Sequence, residues 1–120
     1  MDSHEQEGCE QEVERAKRER IRQLNDQLRR DRIGGRLFLT NGICRLRQGA
    51  MVAIVAAVAA FDEFSNDNDP YEEHDYGIST ASGEPVIWKI DYYDRRINFP
   101  SSGPADSNLT IRVLTIVLAS

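Results

Sequence analysis

The stretch Val86-Ile87-Trp88-Lys89-Ile90-Asp91-Tyr92-Tyr93 decides how the chain is read. Its side chains alternate. Val86, Trp88, Ile90 and Tyr92 share one face, and Ile87, Lys89, Asp91 and Tyr93 share the other. A period of two is a strand signal, with the first set buried and the second partly wet. Just upstream, Ser82-Gly83-Glu84 has the composition of a hairpin turn, and residues 75–80 before it are expected as the partner strand. Downstream, residues 94–108 carry Pro100, Gly103 and Pro104 and read as a long loop. Residues 109–119, LTIRVLTIVLA, then give the strongest strand of the chain. Its second half is apolar on both faces, which predicts a central position in the sheet.

Moving further upstream changes the period. Residues 50–64 are apolar nearly all round and rich in Ala, preceded by Gly49. Small side chains let a helix lie close to a sheet, so this segment is expected as the core helix. About a dozen apolar residues are too few to span a bilayer, which needs roughly 20. Residues 36–40, RLFLT, lean towards strand and are followed by the turn pair Asn41-Gly42. From Glu10 to Asp31 the chain is dominated by Glu, Arg, Lys, Gln, Leu and Ala, with no Gly or Pro. That composition predicts a charged helix, ended by Gly34-Gly35. Its apolar stripe, Val13, Ile21, Leu24 and Leu28, is thin. It suits a helix across the domain edge or the seam of a homodimer. Residues 1–12 hold almost nothing to bury and are expected as a disordered acidic tail. The expected fold is therefore α+β over residues 13–120: two layers, a charged N-terminal helix, and one core helix packed on a mainly antiparallel sheet of about four strands.

Charge is unevenly placed. The net charge is −5 over 120 residues. Residues 15–32 nevertheless carry eight basic side chains against Glu19, Asp26 and Asp31. Between Phe61 and Tyr76 lie Asp62, Glu63, Asp67, Asp69, Glu72, Glu73 and Asp75, with no Lys or Arg. Three readings of this loop compete. It is a solvated loop whose Asn and Asp side chains cap backbone. Or it binds a hard cation through Asp69, Glu73, His74 and Asp75. Asp67-Asn68-Asp69 opens like a calcium loop, but the required glycine is missing and Ile78 stands at the twelfth position, which excludes an ordinary EF-hand. Or its carboxylates imitate phosphates and occupy the basic groove of a nucleic-acid-handling protein. In that reading the contact residues are Asp62, Glu63, Asp67, Asp69, Tyr71, Glu72, Glu73 and Asp75, with Tyr71 as an aromatic anchor.

Other chemistry-bearing residues are sparse. His74 lies between Glu73 and Asp75, a setting for a general base, but no nucleophile accompanies it, and a surface histidine is the plainer reading. His4 belongs to the tail. Cys44 is followed by Arg45 and Arg47. Without a motif it is expected as a partly buried structural residue. With only Cys9 and Cys44 there is no disulfide framework, and a reducing, cytoplasmic setting follows, with no secretion leader expected from an acidic N-terminus. Trp88 and Tyr92 are expected in the core, while Tyr71 and Tyr93 are better placed for exposed contacts. The arginines of the first helix could grip phosphate, but no helix-turn-helix, zinc-finger, phosphate-loop or nucleophile-elbow pattern is present. No cofactor is expected.

The strings LNDQLRR (24–30), GGRLFLTNGI (34–43), FDEFSNDNDPYEEHDYG (61–77), WKIDYYD (88–94) and PADSNLTIRVLTIVLA (104–119) together resemble an uncharacterised family of domains of unknown function. That family is found mainly in alphaproteobacteria, on plasmids, prophages and integrated elements. The resemblance implies no catalytic residue. It implies an accessory protein of a mobile element, and such proteins often act against host defence. The expected function is thus a non-enzymatic protein that binds and inhibits a defence complex, a CRISPR effector or a restriction enzyme, through the acidic loop. Two alternatives stand beside it. One is a small metal-dependent hydrolase or nuclease that adds Asp91 or Asp94 to the loop residues. The other is a regulatory or structural dimer.

Overall fold

A computed structural model describes residues 3–119, with side chains from Cys9 onward. The order of elements is α1 (Ser3–Asp31), β1 (Gly35–Leu39), the single turn α2 (Asn41–Cys44), α3 (Gln48–Ala60), β2 (Tyr76–Ala81), β3 (Glu84–Tyr93) and β4 (Ile111–Leu118). The fold is α+β. The strands form one mixed sheet in the order β1-β4-β3-β2. β2, β3 and β4 run as an antiparallel meander, and β1 adds to β4 in parallel. The strongest strand of the sequence is accordingly central. The β2–β3 turn places Ser82 at φ 53° and Gly83 at φ 76°, the two positive angles that match the twist of a tight hairpin.

The alternation in β3 is realised as read from Val86 to Ile90, whereas Tyr92, expected in the core, and Tyr93, expected in the open, are both half-buried. Val86 and Trp88 are fully buried, and Ile90 nearly so. In register beside them stand Leu114 and Ile116 of β4. Ile54 and Val58 of α3, Ile43 of α2 and Leu28 of α1 close the core over this face. Gly77 of β2 pairs with Trp88, and a Cβ there would lie 2.6 Å from the indole ring. Glycine at this position gives the ring its room.

Three expectations change. First, α1 begins at Ser3 rather than Glu10, so the helix runs through most of the segment read as a disordered tail. Glu, Gln and other helix formers continue upstream, and only Gly8 interrupts them. His4 falls outside the described side chains. Second, the thin stripe on α1 serves the core. Ile21, Leu24 and Leu28 are buried within the chain itself, Leu28 in the cluster with α3 and the sheet, while Val13 remains 52% exposed. Those three residues are therefore not free to form a dimer seam. The stripe suffices because only the second half of α1 lies on the body; residues 9–20 are exposed throughout. Third, α3 stops at Ala60 rather than Phe64. Phe61 turns extended (φ −60°, ψ 130°), which lets Phe61 and Phe64 fold onto Trp88, with ring centroids 5.5 and 6.1 Å away.

Both helices cover the same sheet face. The other face carries Phe38, Ile78 and Val117 in the open, so β4 is central without being covered on both sides. No described helix is long and apolar enough to cross a membrane.

Candidate functional site

The acidic segment between α3 and β2 is a built loop rather than a slack one. Asp69 is its pivot and is only 5% exposed. Its Oδ1 accepts the backbone N–H groups of Glu73 (3.0 Å) and His74 (3.2 Å). Its own N–H donates to the Ser65 carbonyl at 2.8 Å. Asn68 adds a second clasp: its Oδ1 accepts from the Ser65 N–H, and its Nδ2 donates to the Glu63 carbonyl. These side chains offer the backbone the partners that a helix or sheet would otherwise supply. They also hold Glu72 and His74 at positive φ, 58° and 56°.

Behind the loop lies a polar cluster that the sequence reading did not assemble. Asn25 of α1 is fully buried. Its Nδ2 donates to the Tyr92 hydroxyl (2.7 Å) and the Glu73 carbonyl (3.0 Å), while its Oδ1 accepts from Arg112 Nε (2.9 Å). The Tyr92 hydroxyl donates in turn to Glu73 Oε1 at 2.8 Å. Burial pushes the Tyr92 phenol well above its ordinary pKa, so it stays a donor. Arg112 lies over the Tyr92 ring, 5.2 Å from its centroid, and donates to the Pro104 carbonyl. Arg29 is 1% exposed. Its Nη1 reaches the carbonyls of Val58, Ala59 and Phe61, and its Nη2 pairs with Asp26 at 3.0 Å. The last carbonyls of α3 have no partner within the helix and carry its negative dipole end, so a buried cation there is well placed. Arg29 is therefore not among the arginines free to grip phosphate; it is a cap for α3. An i, i+4 polar pair, Asn25 and Arg29, set in the stripe of Ile21, Leu24 and Leu28 was the available signal.

His74 fits this cluster structurally. Its ring stacks flat on Phe64, with centroids 3.7 Å apart. Nδ1 lies 2.9 Å from Asp26, and Nε2 lies 3.7 Å from Asp69. Both nitrogens face carboxylates, which leaves neither aimed at an open cavity.

The eight residues expected at a contact surface therefore divide. Asp69, Glu73 and Asp75 turn inward. Burial, and then the charge of Glu73, raises the Asp75 carboxyl above the ordinary range. Asp62, Glu63, Asp67, Tyr71 and Glu72 face outward, and Tyr71 is 68% exposed. Asp62 and Glu63 border a hollow of about 340 Å³ shared with Ile78 and Thr80 on the β2 edge. Glu72 lies 3.8 Å from Arg22, so one carboxylate is partly compensated.

The residues named for a hydrolase do not converge. Asp91 points to the uncovered sheet face, where it pairs with Lys89 at 3.2 Å. Asp94 accepts the backbone N–H groups of Arg96 and Asn98, which hold its pKa below the ordinary range. Among the described residues no three Asp, Glu, His or Cys side chains meet as a metal centre would require. Cys44 is exposed rather than partly buried, at the end of α2.

Residues 39–120 match a family described as Protein of unknown function (DUF3768). The match takes in the acidic loop, α3 and β2–β4, and leaves out α1. No curated protein and no solved structure matches the chain.

Proposed function

The chain belongs to the DUF3768 family, whose description names no activity, and we propose that it is a non-enzymatic binding protein that inhibits a nucleic-acid-handling complex. A host-defence machine, a CRISPR effector or a restriction enzyme, is the kind of target meant. The outward carboxylates Asp62, Glu63, Asp67 and Glu72 stand in for phosphates in a basic groove, with Tyr71 as the anchor. The observation that carries this reading is the pre-built loop. Asp69 and Asn68 hold the outward groups in place before any partner arrives. A fixed loop avoids much of the ordering cost of association. Basic side chains in a groove gain charge-assisted hydrogen bonds to such carboxylates. The hydrolase reading draws less support, because His74 has both nitrogens turned to carboxylates.

The test is Asp62→Asn, Glu63→Gln, Asp67→Asn and Glu72→Gln combined, with Tyr71→Ala separately. Pull-down and inhibition assays against candidate CRISPR and restriction complexes should show most binding lost in the fourfold variant, with its melting temperature unchanged. Wild-type binding should weaken as salt rises. Undiminished inhibition by the fourfold variant would sink the proposal.

A further inference from the structure

The exposed half of α1 does not stand clear of the molecule everywhere. Together with the tip of the acidic loop it encloses a cleft of about 420 Å³, lined by Arg15, Arg18, Glu19, Arg22, Pro70, Tyr71 and Glu72. Arg15, Arg18 and Arg22 are spaced i, i+3 and i+7, which puts them on one helix face. Arg22 is held: its Nη1 donates to the Glu72 carbonyl at 3.3 Å and lies 3.8 Å from the Glu72 carboxylate. Arg15 and Arg18 are exposed, and neither is ion-paired among the described residues. Opposite them stand Pro70 and the exposed ring of Tyr71.

We infer that this cleft binds a nucleotide phosphate: an anion bracketed by Arg15 and Arg18, carried on a flat base that lies against Tyr71. Two unpaired guanidinium forks suit a phosphate, whose oxygens accept paired N–H bonds. A bare anion would leave Tyr71 and Pro70 unused, whereas a base has the flat face that an aromatic side chain stacks on. The cleft has the size of a small-ligand site, about 300–1,000 Å³. Glu19 and Glu72 also line the cleft and disfavour a second anionic group there. The phosphate has two sources, a free nucleotide or a single-stranded nucleic acid. A second hollow of about 500 Å³ also borders Arg18 and Lys17, but Glu14, Glu73 and Asp106 line it too and oppose a run of phosphates there. The cleft shares Tyr71 with the proposed acidic-loop surface, whereas Arg15 and Arg18 of α1 belong to the cleft alone, so the arginine variant separates the two readings.

Fluorescence anisotropy at low salt tests it, with two probes: a fluorescent adenosine monophosphate and a short fluorescein-labelled oligothymidylate. Saturable binding of either is expected. Arg15→Gln with Arg18→Gln should weaken it by about tenfold or more, and Tyr71→Ala by about tenfold, as loss of one stacked base does. Both variants alter exposed side chains, and unchanged melting curves would confirm that they fold. Equal affinity for the two probes assigns a free nucleotide; much tighter oligothymidylate binding assigns a strand. No saturable binding by the wild type, or binding by the arginine variant that matches it, overturns the inference. Binding that heparin displaces fully and Tyr71→Ala leaves unchanged overturns it too, by showing general polyanion attraction.

Discussion

Arg29 sits in a helix crowded with exposed arginines, yet it is 1% exposed, and its neighbour Arg30 lies in the open. The difference is what each one touches. Arg29 satisfies three carbonyls at the end of α3 and lies over Phe64 and Trp88, 5.3 and 5.4 Å from their centroids. Arg29→Ala removes the side-chain donor of all three carbonyls, of which, among the described residues, only that of Val58 keeps a partner, the Phe61 N–H at 3.3 Å, and should cost about 2–4 kcal/mol in denaturant melts. Arg30→Ala should cost less than about 0.5 kcal/mol. Trp88→Ala should cost about 3–5 kcal/mol, since the ring is fully buried. A loss below about 1 kcal/mol would contradict the packing of β3. Asp75 gives a pH-dependent counterpart. Its folded pKa is raised, so the folded state holds more protons than the unfolded state between the two pKa values. Stability therefore falls as pH rises through that window, and the penalty is complete above it. Asp75→Asn should raise the neutral-pH melting temperature and lose that advantage in strong acid, where the carboxyl is protonated in both states.

At the scale of elements, two connections set the geometry. The β2–β3 turn holds a non-glycine residue, Ser82, at φ 53°. Asn tolerates that region better, so Ser82→Asn should stabilise the hairpin by a few tenths of a kcal/mol to about 1 kcal/mol. A fall in melting temperature would show that the serine does something the backbone angles do not reveal. The acidic loop depends on Asp69 in a different way. Asp69→Ala removes the acceptor of two backbone N–H groups and should cost about 1–3 kcal/mol, with faster amide exchange at Glu73 and His74. Asp69→Asn keeps an acceptor oxygen and should lose less. Equal effects of the two variants would mean that the charge, not the hydrogen-bond geometry, holds the loop.

For the whole molecule, the boundary of the matched family and the boundary of the core do not coincide. The match starts at residue 39. Leu28, Asn25 and Arg29 of α1 nonetheless fill the core and pair its polar groups. Losing Leu28 alone is a change of about 2–5 kcal/mol, against a total stability of about 5–15 kcal/mol for an ordinary domain. A chain that lacks residues 1–33 should therefore show no cooperative unfolding. A chain that lacks residues 1–18 should melt close to the full-length protein, because residues 9–18 are exposed throughout. A stable, cooperative shorter fragment would mean that α1 is an accessory rather than part of the core.

Periodicity alone determined the elements that bury by their own pattern. The alternation of residues 86–93, the apolar run of residues 50–60 and the doubly apolar end of β4 each state a local preference, and a local preference survives in any tertiary setting that gives it one apolar face. The sheet order, the length of α3 and the split within the acidic loop were decided by contacts between residues far apart in the chain. Seven carboxylates look alike in sequence because each is equally able to be solvated. Asp69 and Glu73 become interior groups only once Tyr92, Asn25 and the loop's own backbone are brought to them. Arg29 likewise reads as one more surface cation until the carbonyl end of α3 arrives beside it. Burial of a polar group depends on the partner that compensates it, and that partner is supplied by the fold.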